Sequence, residues 1–193
     1  GTTFLKLETL MIFGLGIAAF AVSAEKALDN KDKGLFSVFI GLENGSPIDD
    51  DINRLKYFYD KGVRYVTLCH SSNNQICDSC APKDKTWGGL SPCGKDVVAE
   101  MNRLGMLVDV SHASTSTLYD IIKLSKAPIF ASHSSVRAIK DHPRNLTDQE
   151  IKDIAATGGV IQIATGRWCL TNAPKKETKI VHLADHIDHI KNL

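Results

Sequence analysis

Glu43, His70, His112 and His133 are the side chains in this sequence with the most chemistry to offer. Each closes an apolar, β-rich run: 35–43 (LFSVFIGLE), 64–70 (RYVTLCH), 107–112 (LVDVSH) and 128–133 (PIFASH). One histidine in such a place would pass as a hydrogen-bonded structural residue. Four ionisable groups at four consecutive strand ends are hard to reach by packing alone. Imidazole and carboxylate donors together suit zinc or a similar divalent ion. A carboxylate has two oxygens, so Glu43 could bridge two metals, and a metal pair clamps and activates water for hydrolysis.

The elements that must position these groups alternate regularly. Residues 51–62 carry helical spacing at Ile52, Leu55 and Tyr59 and close on Gly62. Residues 91–105 open on Ser91 as a cap with Pro92 at the first helical position. Residues 114–125 predict a third helix. Thr147-Asp148-Gln149-Glu150 is a capping box that opens a fourth. A fifth strand is expected at 159–164 and a last helix at 180–193. Five successive βα units predict a parallel sheet, either doubly wound or a barrel. No Gly-x-Gly-x-x-Gly follows the first strand, so a dinucleotide fold has no support. In a barrel the C-terminal strand ends share one face, which is where the four groups would meet. The longest irregular stretch, 71–90, has the length of a functional lid or a mobile loop.

Bulk properties bound the rest. The chain has 193 residues, 43% hydrophobic and 23% charged, which fits one globular domain and excludes disorder or a coiled coil. A net charge of +1 gives no reason to expect nucleic acid or an acidic membrane surface as partner. Five cysteines are too few for a disulfide scaffold. Residues 10–22 (LMIFGLGIAAFAV) are an uncharged apolar run, shorter than the ~18 residues of a membrane span. With Lys6 upstream and Val22-Ser23-Ala24 at its end, the run reads as an export signal, with a buried helix as the alternative. The expected division is a signal-like segment, 1–30, and a barrel domain, 31–193. The protein is then exported, periplasmic or extracellular, or else cytoplasmic if the run is not a signal.

The motifs around the four groups resemble a known family. Gly41-Leu42-Glu43-Asn44-Gly45, Tyr65-Val66-Thr67-Leu68-Cys69-His70, Asp109-Val110-Ser111-His112, Ala131-Ser132-His133-Ser134-Ser135 and His142-Pro143-Arg144-Asn145-Leu146 look like successive motifs of the membrane (renal) dipeptidase family, peptidase family M19. The resemblance runs from about Lys33 onward. It implies a (β/α)8 TIM-type barrel with two zinc ions, hydrolysing dipeptides through a metal-activated water. It implies that Glu43 bridges the metals and that His112 and His133 bind the second zinc. It further implies that His70 contacts the substrate and steadies the tetrahedral intermediate, and that Arg144 holds the substrate's terminal carboxylate. A guanidinium suits that carboxylate because its planar donors match both oxygens. Arg137 is a nearby cation that does not match the family's substrate residue.

Two family features are missing from these residues. No His-x-Asp pair precedes His70, and no Ser-Asp-Phe-Asp-Gly segment follows the last helix. About five βα units are an incomplete barrel, since a full one takes ~250 residues. The expectation is therefore a partial site, from a truncated gene, from a piece of a longer chain, or from a chain completed by another copy in a homo-oligomer. The alternative function is a non-catalytic remnant that binds a metal or a peptide; a weaker one is an amidohydrolase cleaving a cyclic amide. Other patterns have plainer readings. His182, His186 and His189 share a helix face that should be solvated or packed. Cys77 and Cys80 form either a loop disulfide or two thiols, and Asp49-Asp50-Asp51 suits an acidic helix start. Trp87 and Trp168 could line a pocket or simply pack.

Overall fold

The structure is a computed structural model that describes residues 11–13 and 16–193, with side chains from Ala18 onward. It opens with strands β1 (Met11–Phe13) and β2 (Gly16–Phe20), helix α1 (Ala24–Asp32) and strand β3 (Phe36–Val38). The main array follows as β4 (Ile40–Glu43), α2 (Asn53–Asp60), β5 (Val63–Thr67), α3 (Pro92–Leu104) and β6 (Leu107–Asp109). It continues with α4 (Thr115–Leu124), β7 (Phe130–Ala131), α5 (Asp148–Ala156), β8 (Val160–Ile161), α6 (Arg167–Leu170) and α7 (Ile180–Lys191).

β4 to β8 form a five-stranded sheet in sequence order, every neighbour pair parallel. That order separates the two parallel architectures left open by the sequence. A doubly wound sheet reverses its strand order at a switch point. This one advances one strand per βα unit, as a barrel wall does. In register, Val66 faces Val108 and Thr67 faces Asp109. Val66 and Val108 turn to the helix layer, where they join Leu55, Val97, Met101 and Ile121 in one buried cluster. Each such side chain contributes roughly 1.5–3 kcal/mol by leaving water. Thr67 and Asp109 lie on the other face and are also buried.

Local signals act as read. Ser91 caps α3 by accepting from the Gly94 amide, and Gly105 ends it in the left-handed region at φ 73°. Gly94 must be glycine for another reason: a Cβ there would collide with the Ile76 carbonyl. Thr147 and Glu150 complete their capping box on α5.

Three expectations are corrected. The run 35–43 is two strands in different sheets, because Phe36–Val38 pairs with β2 while Ile40–Glu43 pairs with β5. The described part of the N-terminal apolar run is not a helix: Gly16–Phe20 is a strand parallel to β3 and antiparallel to β1. Leu10, Gly14 and Leu15 of that run lie outside the described residues. Finally, only Glu43 ends its strand. β5, β6 and β7 stop at Thr67, Asp109 and Ala131, so the three histidines stand in the loops just beyond. Past Thr67 the ladder gives way, since the Leu68 carbonyl takes the Gly45 amide and the Asn74 side chain instead. Past Asp109 the turn is left-handed at His112, φ 71°.

The long loop 71–90 is pinned down. The buried Asp78 carboxylate accepts the amides of Thr86, Trp87, Gly88 and Gly89 at 2.7–3.2 Å. All five cysteines are free thiols. No helix among the described residues is long and apolar enough to cross a membrane.

Candidate metal centre

The end of β4 and the loops after β5, β6 and β7 deliver four side chains to one point. Glu43 Oε1 lies 3.6 Å from His70 Nε2, 3.4 Å from His112 Nε2 and 3.1 Å from His133 Nε2. His112 Nε2 and His133 Nε2 are 3.0 Å apart, and the rings of His70 and His112 lie 4.2 Å apart. All four groups predicted from their positions along the sequence are thus brought together.

The protonation states favour a cation among them. Burial, then the Arg144 guanidinium and the neighbouring imidazoles, push His112 down to about 3, so it is neutral at physiological pH. Burial and Arg144 also lower His133, against the opposing pull of Asp109 and Glu43. The Glu43–His112 contact is therefore no salt bridge. Neutral imidazoles and a carboxylate converging at these distances are a donor set for a divalent metal. The buried His112 Nδ1 has no partner, so no hydrogen bond backs that ring from the side away from Glu43. Glu43, His70 and His112 each offer a ligand atom within 4.8 Å of the others. Glu43, His112 and His133 are tighter still, with contacts of 3.0–3.4 Å.

A cavity of about 450 Å³ opens over these groups, walled by Ser71, Ala81, His142, Arg144 and Trp168. Arg144 is 8% exposed; its Nη2 donates to the His133 carbonyl at 3.1 Å and its Nε has no partner. Burial lowers the Arg144 pKa from its ordinary value. Trp168 lines the cavity with its ring 4.8 Å from that of His142, whereas Trp87 is tied to the Asn74 carbonyl. Arg137 spends its Nε and Nη2 on the carbonyls of Asn145 and Pro143. The histidines of α7 are structural: His186 is fully buried, accepting from the Val136 amide and facing the Leu170 carbonyl at 3.0 Å.

Sequence reasoning gave no role to Asp109 or Ser132, which stand directly behind His133. Asp109 Oδ2 accepts from Ser132 Oγ at 2.5 Å, and Ser132 Oγ lies 2.6 Å from His133 Nδ1. Both sat in plain view in the quoted motifs; Ser132 adjoins His133 in sequence, while Asp109 lies three residues before His112 and reaches His133 only through the fold.

A parallel βα array with a carboxylate at one C-terminal strand end and imidazoles just past the next three sets these groups on the face where barrel enzymes collect their catalytic side chains. The comparisons narrow this. The profile of the membrane dipeptidase family, peptidase family M19, matches residues 17–193, and the chain belongs to that family. The match reaches upstream of Lys33, further than the motifs alone carried it, and takes in α1 and β3. An uncharacterized dipeptidase of Schizosaccharomyces pombe is 40% identical over 81% of this chain and 38% of its own. Dipeptidase tcpJ of Claviceps purpurea is 37% identical over 82% of this chain and 37% of its own. Among solved structures, an amidohydrolase from Pseudomonas aeruginosa superposes with a TM-score of 0.83 at 31% identity, covering 91% of this chain and 52% of that one. A metallo peptidase from Rhodobacter sphaeroides, solved with a phosphinate mimic of the dipeptide L-Ala-D-Ala, gives 0.84 at 25% identity over 91% of this chain and 52% of that one. The chain thus spans under two fifths of these curated relatives and about half of these solved structures.

Proposed function

We propose that the protein hydrolyses the peptide bond of dipeptides at a zinc centre on the C-terminal face of a barrel to which this βα array belongs. The observation that carries the reading is the convergence of three imidazole Nε2 atoms on Glu43 Oε1. Glu43, His112 and His133 would hold zinc, and the Glu43 carboxylate would be shared if a second ion bound. Zinc in such a site polarises the scissile carbonyl and lowers the pKa of a water. His70, half exposed on the cavity side, faces the substrate and offers a donor to the oxyanion. Arg144 keeps donors for a carboxylate beyond the one given to His133. A free carboxylate held there, beside the metal ligands, favours substrates whose terminus lies close to the bond cleaved. The bound dipeptide mimic in the Rhodobacter sphaeroides relative supports that substrate class.

The test is zinc binding by competition with a chromophoric chelator, followed by zinc-dependent hydrolysis of a dipeptide panel, with Glu43→Gln alongside. Zinc-dependent turnover lost in Glu43→Gln is the expected result. Folded protein that neither binds zinc nor cleaves any dipeptide overturns the proposal. Zinc binding without turnover leaves the metal centre standing and removes the enzyme.

A further inference from the structure

Asp109 is fully buried, on the sheet face opposite the hydrophobic core. Its Oδ1 accepts from the amides of Ser111 at 3.0 Å and Ser132 at 2.9 Å. Its Oδ2 accepts from the hydroxyls of Thr67 and Ser132, both at 2.5 Å. Every one of these contacts brings a donor, so the group acts as an acceptor-only carboxylate.

This has a consequence one residue further on. A serine hydroxyl has a single proton to give. Two oxygens 2.5 Å apart need a proton between them, and Asp109 supplies none, so the Ser132 proton is committed to Asp109. Ser132 Oγ therefore meets His133 Nδ1, at 2.6 Å, with a lone pair. Nδ1 must carry the hydrogen. In a neutral imidazole the lone pair then sits on Nε2, the atom that faces Glu43 and His112 at 3.1 and 3.0 Å. The three histidines differ in this respect. His112 Nδ1 has no partner, and His70 Nδ1 meets only the exposed Ser71 hydroxyl, at 3.0 Å.

We propose that Asp109 and Ser132 are positioning residues that hold His133 in its Nδ1-protonated tautomer and aim its Nε2 lone pair into the metal centre. The arrangement is a carboxylate–hydroxyl–imidazole relay, a hydroxyl-extended form of the carboxylate backing common behind metal-bound histidines. His133 is then the preorganised ligand of the set. The metal-related part of this inference rests on the proposed zinc centre; the tautomer part does not.

Two measurements test it on the purified chain. The first is long-range ¹H–¹⁵N correlation of the histidine rings in the metal-free protein, with His133 assigned from a His133→Gln variant. An Nδ1-protonated His133 in the wild type, lost in Ser132→Ala, is the expected result. An Nε2-protonated or freely averaging wild-type ring overturns the relay whatever the protein does with metal. The second is zinc and cobalt affinity by chelator competition, with the cobalt visible spectrum. Ser132→Ala is expected to weaken binding about 10–100-fold, the usual range for losing such a partner, and to shift the cobalt bands. Ser132→Thr, which keeps a hydroxyl, restores most of the affinity. Thr67→Val removes a hydrogen bond from the same carboxylate without touching His133, and its effect is expected to be under about threefold. Wild-type affinity and spectrum in Ser132→Ala, or an equal loss in Thr67→Val, overturn the positioning role. A wild-type chain that binds no zinc or cobalt sinks the zinc centre instead, and the ring spectrum alone then decides the relay.

Discussion

His112 makes stability depend on pH in a way that can be isolated. Its ordinary value is 6.5, and burial and Arg144 push it to about 3 in the folded chain. Between those values the unfolded chain holds a proton that the folded chain refuses. Stability is therefore intact above about pH 6.5 and falls as the pH drops toward 3. At about 1.4 kcal/mol per pH unit, the full loss from this residue is roughly 5 kcal/mol, of which roughly 3 has gone by pH 4. His112 is only 7% exposed, so solvent screening takes little from that figure. The comparison variant is His112→Asn, because the backbone there is left-handed at φ 71° and asparagine tolerates that region. Urea unfolding of both proteins, with chelator present so that no metal competes for the ring, gives stability at each pH from 8 to 4. His142, lowered in the same direction, remains in the variant and its contribution cancels, whereas His133, with Nε2 3.0 Å from that of His112, titrates together with it, so the difference reports the coupled imidazole pair. The expected difference between the two curves is flat above pH 6.5 and grows to roughly 3 kcal/mol at pH 4. Curves that stay parallel down to pH 4 would show that His112 takes up its proton in the folded state, and the neutral donor set would be wrong.

Other perturbations follow from named contacts. Asp78→Asn weakens the carboxylate that gathers four loop amides, and a loss of about 2–4 kcal/mol is expected. It should also open new protease cleavage within 71–90 before global unfolding. His186→Leu strands the Val136 amide and the Leu170 carbonyl in the interior, and should cost about 2–4 kcal/mol by urea midpoint without changing zinc affinity. Gly94→Ala, which in an open helix would stabilise, should lower stability here by about 1–3 kcal/mol, because the new methyl meets the Ile76 carbonyl.

The fold was legible where the signals are local. Ser91-Pro92 and Gly105 bounded α3, and the Thr147–Glu150 box opened α5, because caps depend only on neighbours in sequence. The apolar runs located the strands but overran their ends. An apolar residue past a strand end looks the same as one inside it, and what stops the ladder is a competing partner far away in sequence. The split at Phe39 was hidden for a similar reason, since it depends on β2 and β5 offering separate edges to one continuous run. The site was legible as residue types at strand ends. Its support was not, because the roles of Asp109 and Ser132 depend on which atom holds a proton.

The strand ends alone do not hold the centre together, and the loop 71–90 explains what does. Asn74 donates to the Leu68 carbonyl at 2.8 Å and to Asn44 Oδ1 at 3.3 Å, tying the turn after Glu43 to the strand exit before His70. Ser79 Oγ donates to the His70 carbonyl at 2.5 Å, and the Cys80 amide to the His112 carbonyl at 2.8 Å. The Asp78 carbonyl meanwhile accepts the Ser114 amide at the start of α4. One loop thus grips the backbone at or beside Glu43, His70 and His112, and its own shape is set by the Asp78 carboxylate. Its length suggested a lid, yet Asn73, Asn74, Asp78 and Ser79 turn inward and spend their polar groups on the backbone. It works as a strap that fixes three of the four converging side chains, while Asp109 and Ser132 fix the fourth. Loosening the strap through Asp78→Asn should therefore weaken zinc binding while leaving the His133 tautomer unchanged. Removing the Ser132 hydroxyl should do the reverse to the tautomer. If Asp78→Asn left zinc affinity at the wild-type value while the loop became protease-sensitive, the strap would be incidental to the site.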